Sequence, residues 1–281
     1  MIESDPVVAA QEIAELMRGK KTLAITGAGI STDSGLPDYR GTGGSEIPTV
    51  DFDMFMSDEM WQRWVWQRNH ETWRQFEQIK PSPGHRALVK LEDAGLVTGI
   101  ATQNIDGLHV TAGSRKVWEL HGSFRLARCV QCGQAISREA YGRQLDKLNP
   151  GWPQHDHDVA ILATVDREAA AASTFQPAPC EQCGGIMKPD VVMFGESLPP
   201  CMNDAMNAAG QAEVGLVVGS SLLVSTGAWV TRQAWARGAT LIIINRGPTA
   251  LDDLADYRSD AGASEVLTEL AKLLGSSQIS G

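Results

Sequence analysis

The sequence predicts an α/β fold, a doubly wound parallel sheet with a smaller module inserted into it, and three observations predict it. Short apolar runs recur at Thr22–Thr26, Leu96–Ala101, Val214–Val218 and Thr240–Ile244, each preceded by a stretch of helical periodicity. That is the alternation of buried parallel strands and crossover helices in βαβ units. Gly27 and Gly29 follow the first run at once, where a strand has to turn. Two Cys-x-x-Cys pairs interrupt the alternation and mark the inserted module.

The elements follow in order. Val8, Ile13, Leu16 and Met17 recur at helical spacing over Val7–Arg18, and Gly19 stops that helix before the first strand. Across Phe52–Phe76, Trp61, Trp64, Trp66 and Trp73 are interleaved with Gln, Arg and Glu, which predicts a helical insert. Its aromatic residues are expected to form a small core, with the wall of a ligand channel as the alternative. Asn149–Pro179 holds four prolines and the alanine run Ala169–Ala172, and reads as a loop with one short helix. His155 and His157 lie in that loop without a partner motif, so they are read as a solvated pair rather than as metal ligands.

Composition narrows the classes. At 281 residues the chain exceeds the roughly 100–200 residues of one domain, so one large domain with a small insert, or a single large α/β domain, is expected. A hydrophobic share of 43% and a charged share of 21% are those of a globular protein. The formal net charge of −10 argues against nucleic acid or an anionic membrane surface as a partner. Glu3, Asp5, Glu12 and Glu15 interrupt the first residues, which therefore read as neither a signal nor a transit peptide. No run approaches the roughly 18 apolar residues of a membrane span. A soluble, cytoplasmic protein is the expectation.

Cys129-x-x-Cys132 and, after a gap of 47 residues, Cys180-x-x-Cys183 are the strongest single signal. Gly133 and Gly184 follow the second cysteine of each pair, where a tight knuckle needs positive φ. Four thiolates close a tetrahedral zinc site and leave no open position, so the metal is structural. Cys201 is left over as an incidental thiol. The expected division is a Rossmann-like domain over 1–45, 85–125 and 187–275, a small domain made of a helical insert (46–84) and a zinc-ribbon module (126–186), and a tail over 276–281.

The glycine turn continues as Gly27-Ala28-Gly29-Ile30-Ser31-Thr32, and then as Ser34 to Arg40. Such a turn lets backbone N–H groups approach a pyrophosphate at the start of a helix. The third glycine of an ordinary dinucleotide fingerprint is due at position 32, where Thr32 stands, which counts against an oxidoreductase. Thr102-Gln103-Asn104-Ile105-Asp106-Gly107-Leu108-His109 follows the second strand, at the carboxyl edge where open α/β sheets bind ligands. Gln103, Asn104 and Asp106 suit sugar hydroxyls and a carboxamide. His109 and His121 are both candidate bases. His121 is the better one, because it lies just before the first cysteine pair, where one domain hands over to the other.

With these blocks, together with Lys188–Glu196, Gly219-Ser220-Ser221-Leu222 and Ile244–Thr249, the sequence resembles the sirtuins from about Val7 to Leu274, most closely their class II, mitochondrial-type branch. The resemblance implies an NAD-dependent protein-lysine deacylase, a transferase that releases nicotinamide and O-acyl-ADP-ribose. NAD then lies between the two domains and acylated lysine side chains of proteins are the partners. It implies NAD contacts from the loop residues Gly27, Ala28, Gly29, Ser31, Asp38, Tyr39 and Arg40, and from Gln103, Asn104, Ile105 and Asp106 at the nicotinamide carboxamide and ribose. Gly219, Ser220 and Ser221 serve the distal ribose and phosphate side, and Asn245, Arg246, Gly247 and Ala263 the adenosine. Val191, Val192, Met193 and Phe194 pair with the substrate backbone as an added strand. In the implied chemistry the acyl oxygen attacks C1′ of the nicotinamide ribose. Asn104 orders the ribose and a nearby water, and His121 is the general base on a ribose hydroxyl. Branch members that prefer dicarboxylic acyl groups hold a Tyr-x-x-Arg pair in the helical insert. Here Arg68 matches the arginine and Val65 stands at the tyrosine, so succinyl-lysine is not the expected preference. Two alternatives stay open at this point: mono-ADP-ribosyl transfer to protein from the same NAD cleft, and a non-catalytic NAD-binding zinc scaffold.

Overall fold

A computed structural model describes residues 2–37, 48–153 and 163–275. Asp38, Tyr39, Arg40, His155, His157 and the 276–281 tail lie outside the described residues. The chain divides into two compact units, the first made of 1–44, 80–120 and 199–281, the second of 45–79 and 121–198.

The first unit opens with α1 (Pro6–Met17) and β1 (Thr22–Thr26), after which the second begins with α2 (Phe52–Ser57) and α3 (Glu59–Gln78). The first resumes with α4 (Pro83–Asp93), β2 (Val97–Thr102), α5 (Leu108–Ala112) and β3 (Val117–Glu119). The second adds β4 (Gly122–Cys129), β5 (Ala135–Ser137), α6 (Arg138–Leu148), α7 (Arg167–Ala172) and β6 (Met187–Val191). The first ends with α8 (Cys201–Ala209), β7 (Val214–Val218), α9 (Ser225–Ala236), β8 (Thr240–Ile244), β9 (Tyr257–Ser259) and α10 (Ala263–Gly275).

The six strands of the first unit among the described residues run parallel in the order β3-β2-β1-β7-β8-β9. Counted along the chain, that is the 3-2-1-4-5-6 order of dinucleotide-binding sheets, with the reversal between β1 and β7. The four apolar runs are its buried central strands. Asp5 caps α1 by accepting from the Val7 and Val8 amides, and Gly19 at φ +72° ends the turn after it. One apolar face of α1, α4 and α10 packs Ile13, Leu88, Leu91, Val266 and Leu270 against Ile100, Leu216 and Ile242 of the sheet. Each such side chain contributes about 1.5–3 kcal/mol of burial.

The second unit is built on an antiparallel sheet, β5-β4-β6. Trp66, Tyr141, Phe175 and Met187 form one core, and Phe55, Trp61, Trp64 and Val65 another. Trp61, Trp64, Trp66 and Trp73 are all buried, so the helical insert has the aromatic core that its spacing predicts.

Two expectations are corrected. The boundaries move because pairing outranks sequence position: β6 pairs with β4, which takes 187–198 into the second unit, and 121–125 go with β4 itself. Residues 80–84 join the first unit because they start α4 there. Nor does an α-helix follow the glycine turn within the described residues. Single 3₁₀ turns at Ala28–Ile30 and Thr32–Ser34 stand there, so the helix-terminus argument for pyrophosphate does not apply. No described helix is long and apolar enough to cross a membrane.

Candidate functional site

At the reversal point of the parallel sheet, two strand-end loops pass so closely that only glycine fits. A Cβ on Gly27 would come 2.7 Å from the Ser220 Cβ, and one on Gly29 would come 2.8 Å from the Gly219 Cα. Gly219 itself sits at φ +60°, where a Cβ would meet the Ile30 nitrogen at 2.5 Å. The Gly27 and Gly29 amides donate to the Val218 and Gly219 carbonyls at 3.1 and 2.8 Å. These two amides therefore join the loops instead of waiting for a pyrophosphate, a reason for the glycines that the sequence motif does not disclose.

The residues after β2 knit into this crossing. Asn104 Nδ2 donates to the Gly27 carbonyl at 3.1 Å and to Ser31 Oγ at 3.0 Å, while Ser31 Oγ donates to Asp106 Oδ2 at 2.7 Å. Asp106 Oδ1 accepts from the Leu108 amide, which fixes the carboxylate at the start of α5. Ser220 Oγ donates to Gln103 Oε1 at 2.7 Å, and Gln103 Nε2 donates to the Val224 carbonyl at 3.1 Å. Ile105 is buried beside them. Ala28 belongs to the glycine turn and Ser221 to the β7 loop, where the Ser221 carbonyl accepts from the Ala250 amide. After β8, Asn245 Nδ2 donates to the Arg246 and Gly247 carbonyls, so Asn245 shapes its own loop. Arg246 lies 3.6 Å from Glu265, on the helix that Ala263 begins.

His109 is placed away from a base's task. Its ring is buried, its Nε2 is 2.8 Å from Thr26 Oγ1, and it packs 4.6 Å from His85. His85 closes a capping box with Ser82 at the start of α4, and Ser82 Oγ donates to the Ile30 carbonyl in the glycine turn. Burial and then Arg86 lower the His85 pKa to about 4, and burial and then His85 lower that of His109 well below its usual value. In the unfolded chain His85 takes a proton near pH 6.5, in the folded chain only near 4, so the unfolded state binds more protons in between. The stability His85 confers is complete above about pH 6.5 and falls as the pH drops towards 4, by roughly 2 kcal/mol at pH 5. Urea midpoints at pH 7.5 and 5.0 should show that fall. His85→Asn should be weaker at pH 7.5 but flatter between the two; a wild-type midpoint equal at both values contradicts the assignment.

His121 opens the second segment of the second unit, half-buried, directly before β4. Its carbonyl accepts from the Val192 amide at 2.8 Å. Gly122 has φ +75°, and a Cβ there would lie 2.0 Å from the Asp190 carbonyl oxygen, so glycine beside His121 is obligatory. The expected docking edge Val191–Phe194 continues β6, an edge strand of its sheet. Part of this edge is already engaged: the Met193 amide donates to Glu196 and the Phe52 amide donates to the Phe194 carbonyl. Phe194 is 71% exposed.

The four cysteines converge, with all sulfurs within 4.8 Å of one another and two pairs at 3.5 and 3.7 Å. A tetrahedron of roughly 2.3 Å Zn–S bonds has edges of about 3.8 Å, so the set fits one zinc ion. Gly133 and Gly184 take φ +74° and +75° in the knuckles, as their positions predict.

In the helical insert Arg68 already has a partner. Its Nη1 lies 3.0 Å from Glu71 Oε2, and the buried Glu71 also accepts from Gln67 and, at 3.3 Å, from Trp152. The sequence reading gave no role to Ser82, His85, Lys188 or Glu196. The serine-to-histidine spacing of a capping box was the available signal for the first two.

The Sir2 family model matches residues 27–226. The chain is 43% identical over 267 residues to NAD-dependent protein deacetylase 1 of Mycobacterium avium (strain 104), covering 92% of this chain and 94% of that one. It is 36% identical over 277 residues to the human mitochondrial NAD-dependent protein lipoamidase sirtuin-4, covering 95% and 88%. A Sir2 homologue crystallised with NAD superposes at a TM-score of 0.73 with 29% identity, covering 98% and 96%. Sir2 in complex with the inhibitor EX-527, 2′-O-acetyl-ADP-ribose and deacetylated p53 peptide superposes at 0.71 with 30% identity, covering 94% and 99%. One uninterrupted match takes in the glycine crossing, the polar cluster after β2, His121 and both cysteine pairs, and on that ground the chain belongs to the Sir2 family.

Proposed function

We propose that this protein removes acyl groups from protein lysines with NAD as co-substrate, releasing nicotinamide and O-acyl-ADP-ribose. The observation that carries the reading is the buried network joining Ser31, Asn104 and Asp106 at the sheet's reversal point. It holds side chains suited to ribose hydroxyls and a carboxamide in one arrangement, as positional catalysis requires. The deacetylase relative and the Sir2 structure with its acetyl-ADP-ribose product support the same reaction class.

Bound NAD supplies the sugar carbon that accepts the acyl oxygen, with nicotinamide as the leaving group. Asp106 and Ile105 hold the carboxamide, and Asn104 and Gln103 order the ribose and its neighbouring water. The glycine turn, with Asp38, Tyr39 and Arg40, and the Gly219–Ser221 and Asn245–Gly247 loops bind the rest of the dinucleotide. His121 takes a proton from a ribose hydroxyl as general base, a task suited to an imidazole. Val191–Phe194 receives the peptide backbone. Zinc braces the second unit and stays out of the proton transfers.

The acyl group is neutral. A dicarboxylic acyl group would have to take Arg68 from the buried Glu71, leaving a carboxylate without its partner. Nicotinamide release from acetyl, longer neutral acyl and succinyl peptides tests this. Succinyl turnover should be lower by about tenfold or more, because Glu71 would keep Gln67 and Trp152 but lose its cation, and faster succinyl turnover contradicts it. Mass spectrometry of the products checks the reaction class: O-acyl-ADP-ribose is expected, and a protein heavier by one ADP-ribose points to transfer.

A further inference from the structure

Lys188 is 4% exposed, and burial, which outweighs the attraction of Glu196 and Asp190, lowers its pKa. Its ammonium donates to the Pro189 and Val191 carbonyls at 2.9 and 2.8 Å and lies 3.2 Å from Glu196 Oε2. That oxygen also accepts from the Met193 amide at 3.0 Å, and the Glu196 amide donates back to the Met193 carbonyl. Gly195, at φ +83°, lets the chain turn tightly enough for both bonds. One residue earlier, the Val192 amide reaches the His121 carbonyl. Burying an ammonium costs several kcal/mol unless it is paired and fully hydrogen-bonded, and here it is. No step of the proposed chemistry uses this charge.

We propose that the Lys188–Glu196 ion pair is a positioning device that sets the docking edge Val191–Phe194 and, through Val192, the backbone of His121. The pair consumes the Val191 carbonyl and the Met193 amide, groups that an extended segment otherwise leaves to a neighbouring strand or to water. It thereby fixes which backbone groups remain for an incoming acyl-lysine peptide. Lys188 is a positioning residue, touching neither peptide nor dinucleotide. The inference rests on the deacylase reading, in which this edge receives the substrate.

The test separates peptide from NAD. In Lys188→Met the unpaired Glu196 carboxylate should release the segment, raising KM for the acyl peptide by about tenfold, the cost of one charge-assisted bond. KM for NAD should stay within about twofold, because the residues proposed to bind it belong to the first unit. Adding Glu196→Gln to Lys188→Met removes the stranded charge and should recover part of the loss. Equal losses in kcat and both KM values, or an unchanged peptide KM in Lys188→Met, overturn the proposal. Should Lys188→Met not fold, hydrogen exchange on the unaltered protein decides: slow Val192 and Met193 amides support the device, and amides exchanging as freely as an open loop refute it. An inactive wild type with those amides slow removes the deacylase reading and leaves the ion pair's hold on the segment standing.

Discussion

His121→Ala is expected to lower acyl-lysine turnover by about 10²–10⁴-fold, the contribution of a placed general base, while Kd for NAD changes little. The separation follows from the architecture. The residues proposed to grip NAD belong to the first unit, whereas His121 belongs to the second. The backbone bond from Val192 to the His121 carbonyl does not depend on the side chain, so alanine leaves the docking edge in place. Steady-state turnover of an acetyl peptide, with isothermal titration of NAD, measures both quantities. Turnover within a factor of about three of wild type would remove His121 from the chemistry. A parallel fall in NAD affinity would make it a binding residue instead.

Loss of zinc should be the more drastic change. Four sulfurs within 4.8 Å of one another are, as thiolates, four like charges that a shared cation would hold together. Structural zinc sites bind with roughly 10–16 kcal/mol of apparent free energy, comparable with the whole stability of a domain. A strong chelator, or Cys180→Ser, is therefore expected to unfold the second unit, whose core cluster includes Cys129 and Cys180 alongside Trp66 and Phe175. Trp61, Trp64, Trp66, Trp73 and Trp152 lie in that unit, so tryptophan emission should shift to the red, and metal analysis should find one zinc per chain before treatment. Full activity and unaltered emission in a zinc-free sample would contradict the structural role. Activity lost with the fold intact would place the metal in the chemistry.

Much of this was legible in the residues, and the rest was hidden for identifiable reasons. The central strands were visible because parallel strands buried on both faces leave uninterrupted apolar runs, as in Val214–Val218 and Thr240–Ile244. The zinc knuckles were visible because ligand spacing and glycine placement are local. The purpose of Gly27 and Gly29 was not, because the atoms that exclude a side chain there belong to Gly219 and Ser220, far along the chain. The allegiance of 187–198 was hidden for the same reason: only the pairing of β6 with β4 assigns it. The role of Lys188 was hidden too, since nothing in its residue type announces that three acceptors surround its ammonium. The Arg68–Glu71 pair sits between these cases, since the spacing suits an ion pair on a helix but burial decides its strength.

The order of the parallel sheet also governs how the chain is made. β1 leaves the ribosome early, yet one of its two partners, β7, begins only at Val214, so Thr22 waits for a residue synthesised far later. Until then one side of a strand buried along its whole length lacks its mate, the condition in which nascent chains adhere to one another or to chaperones. Production should accordingly be limited by the yield of chains that survive this interval, and fragments ending before residue 214 should precipitate.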